Sequence, residues 1–476
     1  MEAAQHVLTI FERISSIPRG SGRESLLSDW LQTLAKEYHY QSKVDEAGNL
    51  LITIPASPGY ETAPVVVLQG HMDMVCEKTS DSNHDFLEDA IQCIVDDDWM
   101  HADRTTLGAD NGIAIALTLA IAGDPSVLHP TLELLFTVEE EVGLGGANLL
   151  KPGFITGKIL VNLDSEDEGT FVIGCAGGQS SNIYLPVNYQ KPIYPSACFL
   201  KVSGLRGGHS GIDINKHYGS ANQLIARVLS RLQETTPITL MKLHGGTAHN
   251  AISREAVCTF GYDPAQEIAV KNAVRELEMT FSQEYDPVEQ AISVVLSPAD
   301  AGLTISVKDT QAVINLLMAL PHGVSKMSAN VEGFVETSNN LANIDLDQTG
   351  LKILTSQRSS VMSSMEELTS RITAIGHLAG AVVNNSTPYP GWQPDMNSGL
   401  LKRSIKTYKN LFGIEPGIKA IHAGLECGTI GSIYPGMEII SLGVTIENPH
   451  SPTERMYIPS VERVWKFLAE FLKSTH

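Results

Sequence analysis

The sequence predicts an α/β fold interrupted by an inserted domain of α+β character, and three observations carry that prediction. Short apolar runs of strand length alternate with helix-length patterns through the first third of the chain, the texture changes near residue 188, and α/β character returns near residue 389. Alternation of this kind indicates a largely parallel sheet covered on both faces. At 476 residues the chain exceeds what one hydrophobic core ordinarily serves, so two or three domains are expected.

The first segment, MEAAQHVLTIFERISS, mixes charges into a helix-like apolar pattern and lacks a basic leader, so no signal peptide is expected. Strands are predicted at 49–54, 64–69, 132–137 and 159–163, with a helix at 113–122. Residues 1–188 thus form the first part of one domain. The insertion, 189–388, opens on a Pro- and Tyr-containing junction at 189–195 and a strand at 197–202. A glycine turn at 204–211, a helix at 219–232 and a last clear helix at 366–378 complete its outline. A junction rich in Asn, Pro and Gly at 384–394 leads into 389–476, which returns to the first domain with a buried strand at 439–444 and an amphipathic helix at 460–472 capped by Ser460.

Composition narrows the function classes. A formal net charge of −21 argues against nucleic acid or an anionic membrane surface as partner. No run of about 18 apolar residues is present, so no spanning helix is expected. The six cysteines lie far apart with no CxxC pair, which suits reduced thiols in a cytoplasmic protein.

Five segments end apolar runs with an acidic residue or a histidine: His71-Met72-Asp73, Gly108-Ala109-Asp110-Asn111-Gly112, Glu139-Glu140-Glu141, Asn162-Leu163-Asp164 and Asn448-Pro449-His450. In α/β sheets ligands gather beyond the carboxyl ends of the strands, and His71, Glu140 with Glu141, and Asp164 each follow a strand-like run. Asp73 stands where it can orient the far nitrogen of His71. Asp110 taken alone reads equally as a helix cap. Three adjacent carboxylates at a strand end repel one another, and a cation relieves that repulsion where a solvated acidic loop does not. One of them coordinates in this reading and its neighbour moves a proton. Prolines on both sides restrict the backbone that carries His450. Two imidazoles, three carboxylates and one free carboxylate are roughly what a dinuclear hydrolytic site requires.

HMD, GADNG, TVEEEVGLGGA, NLDSEDEG and NPHSPTE, in this order, resemble the metal-site motifs of the M20 family of dinuclear zinc peptidases, and the resemblance spans essentially the whole chain. The segments Gly207–Gly211, Gly245–Ile252 and His422–Gly428 are similar to those of a dipeptidase subgroup within it. The resemblance implies a catalytic domain holding two Zn2+ ions, with Mn2+ or Co2+ accepted by the same donors, and an inserted α+β lid of the dimerisation type. Asp110 would bridge the ions, with His71 and Asp164 on one and Glu141 and His450 on the other. Glu140 would be the general base and Asp73 the carboxylate orienting His71. The family has Asp before the Glu pair where this chain has Glu139, and Gly143 sets the register by standing two residues past the ligand. A cis peptide after Asp110 is also implied. His209 resembles a lid histidine of the family that reaches the site from a partner subunit, where an oxyanion needs a donor beyond the metal. Asn250 and Arg358 are candidates for a substrate carboxylate, and His422 and Glu426 for the substrate amine or the metal edge.

The implied activity is hydrolysis of unblocked dipeptides, Xaa-His and broader, by a homodimer. The enzymatic alternative is an M20 aminoacylase or deacetylase acting on N-acyl amino acids. The non-enzymatic alternative is a metal-binding scaffold with an inactive site, against which stand Glu140 and Asp73, since a structural metal site needs neither.

Overall fold

The computed structural model describes residues 2–475 and consists of two compact units. The first runs from the amino terminus to Gly174, resumes at Trp392–Ala420 and continues from Leu425 to the carboxyl terminus; the second is Cys175–Gly391 with Ile421–Gly424.

The first unit is built on an eight-stranded sheet in the order Gln41–Val44, Leu50–Ile54, Leu132–Thr137, Val66–His71, Ile159–Asn162, Glu438–Ser441, Thr170–Cys175, Gly417–Ile421. The four central strands, from Leu132–Thr137 to Glu438–Ser441, are parallel. Every residue of Val66–His71 and of Leu132–Thr137 is buried, as a parallel sheet covered on both faces requires. Leu51, Val67, Leu135 and Leu160 pack with Ala147, Cys427 and Ile430 of the short helices Gly145–Leu149 and Glu426–Ile433. Helix Ala109–Gly123 packs on Val66–His71 and against Glu2–Ser15 and Ile458–Lys473.

The second unit carries a nine-stranded sheet, antiparallel at each pairing among the described residues, with the long strands Val335–Asp347 and Gly350–Ser359 near its middle. Leu224, Ile225, Val228 and Leu229 of helix Ala221–Thr235 join its core with Val313 and Leu317 of Val307–Ala319 and Leu368 of Met362–Leu378.

Three details depart from the expected outline. The chain enters the second unit at Cys175, not at 189, because Gly177–Leu185 pairs antiparallel with Gly350–Ser359 and Val382–Asn385. The prolines and tyrosines at 189–195 mark a turn inside that unit. The closing helix starts at Ile458 with Pro459 in its first turn, so Ser460 is not its cap; Ser460 Oγ donates to the Tyr457 carbonyl and accepts the Thr445 N–H instead. The strand expected at 439–444 spans Glu438–Ser441. Among the described residues no helix is long and apolar enough to cross a membrane.

Candidate metal centre

Parallel pairing aligns the carboxyl ends of Val66–His71, Leu132–Thr137 and Ile159–Asn162, and the segments that follow carry His71, Glu139–Glu141 and Asp164 to one edge of the first unit's sheet. Asp110 arrives at the start of helix Ala109–Gly123, where Gly108 is left-handed and Asp110 and Asn111 are not yet helical. The Asp110–Asn111 peptide is cis. Asn111 fixes this entry by accepting the His71 N–H at Oδ1 and donating to the Leu163 carbonyl, and Gly70 leaves room for that amide, because a Cβ there would collide with Asn111 Oδ1.

Two sets of donors converge. His71, Asp110 and Asp164 form one and Asp110, Glu141 and His450 the other, each with its ligand atoms within 4.8 Å of one another. Asp110 belongs to both. His71 Nε2 lies 3.1 Å from Asp110 Oδ1 and 3.2 Å from Asp164 Oδ1. His450 Nε2 lies 3.1 Å from both Asp110 Oδ2 and Glu141 Oε2. An imidazole N–H aims at one acceptor, yet each Nε2 faces two carboxylate oxygens. Glu141 Oε1 and Asp164 Oδ1 are moreover buried without a hydrogen bond among the described residues. An unmet buried polar atom costs about 1–3 kcal/mol, and a cation between the imidazole lone pairs and these oxygens removes that cost. The donor set, nitrogen and carboxylate oxygen with no thiolate, fits zinc and equally manganese or cobalt.

The electrostatics agree. Burial alone would depress His71, but the carboxylates of Asp164, Asp110 and Asp73 outweigh it and hold the imidazole well above its ordinary value. Hydrogen bonds to Asp110 and Glu141 push His450 up to about 11. Burial raises Asp164 to about 6, with Asp110 and Glu141 adding to it and His71 opposing. Asp110 goes the other way, because His450 and His71 overcome its burial and hold it well below the carboxylate range. A centre that keeps protons this firmly is short of positive charge, and cation binding would displace them.

Glu140 groups with His71 and Glu141. Burial pushes its carboxyl well above the usual range; Asp164, Glu426 and Glu141 push the same way, against the opposing charge of His71. Asp73 does more than face His71 Nδ1 at 3.3 Å: its Oδ1 accepts the Glu140 N–H, and its Oδ2 accepts the Glu141 N–H and the Ser21 hydroxyl. Glu139 turns away, with φ 52° and its backbone N–H on Glu24.

Glu426, expected at the substrate amine or the metal edge, lies inside the first unit close enough to interact electrostatically with Asp164 and His71. It is fully buried in the first unit, where Oε2 accepts from Gln69 (2.6 Å) and Thr137 (2.9 Å). Burial raises it to about 7, with Asp164 adding and His71 opposing. Its position at the first turn of a helix packed on the sheet explains the difference, since an acidic residue there is carried inward against strand side chains.

His209, Asn250, Arg358 and His422 lie in the second unit. The ribbon Gly208–His209 with Ala251–Ile252 joins two glycine-rich motifs, and the Ser210 N–H donates to the Asn250 carbonyl. The Asn250 residue itself is exposed. His209 Nδ1 accepts the N–H groups of Gly211 and Ile212, which leaves Nε2 as the donor; burial and the Arg358 charge both lower its pKa. Gly211 packs against the His422 carbonyl, leaving no space for a Cβ. Ser338 and Arg358 face each other across neighbouring strands, and His422 Nε2 lies 2.7 Å from Ser338 Oγ. Burial and Arg358 bring His422 down to about 3. Arg358 is 7 % exposed, donates to Tyr389 Oη at 3.1 Å, and has no carboxylate partner among the described residues. Its Nε is unmet. Tyr389 and Ser338 were invisible to motif reading: one sits in a junction that reads as a linker, the other in a plain strand.

Residues 67–474 match the family model described as peptidase family M20/M25/M40. The chain is 39% identical over 472 residues to the cytosol non-specific dipeptidase of Escherichia coli (strain K12), covering 98% of this chain and 97% of that protein. The crystal structure of aminoacylhistidine dipeptidase from Vibrio alginolyticus aligns with a TM-score of 0.94 at 36% identity, over 99% of this chain and 96% of that one. Aminopeptidase PepT from Bacillus cereus ATCC 10987 shares the fold at a TM-score of 0.57 and 15% identity, over 99% and 98% of the two chains.

Proposed function

The chain belongs to peptidase family M20/M25/M40, and from that premise we propose that it is a dinuclear metal-dependent dipeptidase hydrolysing unblocked dipeptides, Xaa-His and broader. The observation that carries this reading is the pair of three-donor sets joined through Asp110, with Glu140 beside them. Dipeptidase relatives at 39% and 36% identity over nearly the whole chain support it.

Two Zn2+ ions, with Mn2+ or Co2+ as substitutes, would when bound lower the pKa of a water and polarise the scissile carbonyl. His71, Asp110 and Asp164 would hold one and Asp110, Glu141 and His450 the other. Glu140 takes the proton from the attacking water and returns it to the leaving amine, a task suited to a buried carboxyl with raised proton affinity. Asp73 holds the Glu140 backbone and keeps the far nitrogen of His71 protonated, so that Nε2 presents its lone pair. In the second unit, His209 Nε2 has the polarity needed to donate to an oxyanion. Arg358, buried with no carboxylate partner among the described residues, suits a planar carboxylate, and Asn250 and His422 belong to the same recognition set. A homodimer in the cytoplasm completes the proposal, supported by the family resemblance and by the name of the Escherichia coli relative.

The test compares Ala-His with N-acetyl-Ala-His on metal-stripped protein before and after adding zinc. The expected result is zinc-dependent cleavage of the free dipeptide alone, lost in Glu140→Ala. Cleavage of the acetylated compound alone would assign an aminoacylase, and zinc uptake without cleavage of either would favour a scaffold.

A further inference from the structure

Glu454 stands four residues after His450 in the same loop, but where His450 is half exposed, Glu454 is 2 % exposed. Its carboxylate accepts four consecutive backbone N–H groups. Leu107 and Gly108 donate to Oε2 at 2.7 and 3.0 Å, and Ala109 and Asp110 donate to Oε1 at 2.8 and 3.3 Å. With two donors on each oxygen there is no acceptor for a carboxyl proton, so the geometry is that of a carboxylate. The same loop therefore touches Asp110 twice, through His450 Nε2 on the side chain and through Glu454 on the backbone.

Arg19 does the matching work on the other side. It is 2 % exposed, donates from Nη1 to the carbonyls of Met72 and Asp73 at 2.9 and 2.8 Å, and donates from Nη2 to the Gly108 carbonyl. It thereby ties the backbone that follows His71 to the backbone that precedes Asp110. Burial lowers its pKa from the ordinary guanidinium value, and the charges of Glu454, Asp73 and Asp110 oppose that shift.

We propose that Glu454 is a positioning residue that sets the Asp110 carboxylate between the two donor sets, locking the His450 side, with Arg19 as its counterpart on the His71 side. This rests on the dinuclear reading above and adds to it the group that fixes where the shared ligand sits. A helix cap alone would account for stability at the start of Ala109–Gly123, whereas a positioning role predicts a change in cation binding at unchanged fold.

Metal-stripped wild type, Glu454→Gln and Glu454→Asp are titrated with Co2+ alone, followed by visible d–d absorption and by equilibrium dialysis, with near-ultraviolet circular dichroism on the metal-free forms. Glutamine keeps the size but turns an amide N–H toward two backbone N–H groups. The expected result is two Co2+ per chain in the wild type and an unchanged dichroism spectrum in Glu454→Gln. In that variant one ion binds roughly 10- to 100-fold more weakly, with an altered absorption band, and Glu454→Asp falls between. Two ions at wild-type affinity and spectrum in Glu454→Gln overturn the proposal, as does loss of the metal-free fold in both variants, which would make the residue a structural cap. A wild type that binds fewer than two ions overturns the dinuclear reading instead.

Discussion

The donor cluster of the first unit and the Arg358 cluster of the second are opposite electrostatic problems. In the first, Asp110, Glu140, Glu141 and Asp164 crowd two imidazoles, His450 is pushed up to about 11 and Asp164 to about 6. In the second, a buried guanidinium has no carboxylate beside it among the described residues, and His422 is brought down to about 3. One cluster lacks positive charge and the other lacks negative charge. A buried imbalance persists only when something else balances it, and that opposition in sign is what supports the proposal of cations for one cluster and an anionic substrate group for the other.

The largest expected effect separates chemistry from cation holding. Glu140→Ala should lower kcat roughly a thousandfold while the Co2+ stoichiometry stays that of wild type, because Glu140 lies outside both donor sets that share Asp110. Loss of an ion in this variant would merge base and ligand and break the division of roles.

Next in size, the two units should respond oppositely to acid in the metal-free protein. Burial brings His322 of the second unit down to about 4, and its Nδ1 accepts the Leu341 N–H. The folded state then binds fewer protons than the unfolded state between 6.5 and about 4, so stability falls as pH falls through that window. A drop from 6.5 to about 4 corresponds to about 3 kcal/mol. His422 acts in the same sense, over a window reaching to about 3. His450, raised to about 11, contributes stability that is present below about 6.5 and lost as pH rises toward 11. Amide exchange should therefore quicken around Leu341 on acidification before it quickens around Asp110. Simultaneous loss in both units would contradict the contrast.

A smaller effect tests the anion. Arg358→Lys keeps the charge and removes the fork, and should raise KM for Ala-His roughly tenfold with little change in kcat. The corresponding dipeptide amide, which has no carboxylate, should not distinguish the variant from wild type; an equal loss on both substrates would show that Arg358 does not meet that group. The smallest effect sharpens the second cluster. Ser338→Ala removes the hydroxyl 2.7 Å from His422 Nε2 and should cost about 1 kcal/mol in urea unfolding, with metal uptake unaltered.

Much of the first cluster was legible because its residues lie beside strand ends. Apolar runs at 64–69, 132–137 and 159–163 identify strands, the carboxyl-end rule says where ligands gather, and His71, Glu141 and Asp164 follow from position. Gly143 was enough to separate Glu140 and Glu141 from Glu139, whose side chain does turn away. Glu426 was read only as a candidate for the substrate amine or the metal edge, because nothing local shows that its hydrogen bonds come from Gln69 and Thr137, hundreds of residues earlier. Tyr389 and Arg19 had no local signal at all. The domain boundary slipped from Cys175 to 189 for a related reason: the Gly-rich run at 174–178 reads as a turn within one domain, and only the pairing of Gly177–Leu185 with Gly350–Ser359 assigns that strand to the second sheet.

The sequence by itself determined the alternation that makes an α/β sheet and the presence of an insertion, because these depend on residue type, periodicity and short spacing, and its motifs carried the resemblance that implied the family and the candidate donors. Tertiary structure alone decided that His450 and His71 each face two carboxylate oxygens, that Asp73 holds the Glu140–Glu141 backbone, and that Arg358 is buried with no carboxylate partner among the described residues. It also decided that the Arg19 Nη atoms donate to backbone carbonyls and that the Glu454 carboxylate accepts backbone N–H groups. Burial and the direction of a hydrogen bond depend on atoms brought together from distant parts of the chain, and no local pattern of residues encodes which distant partner will arrive.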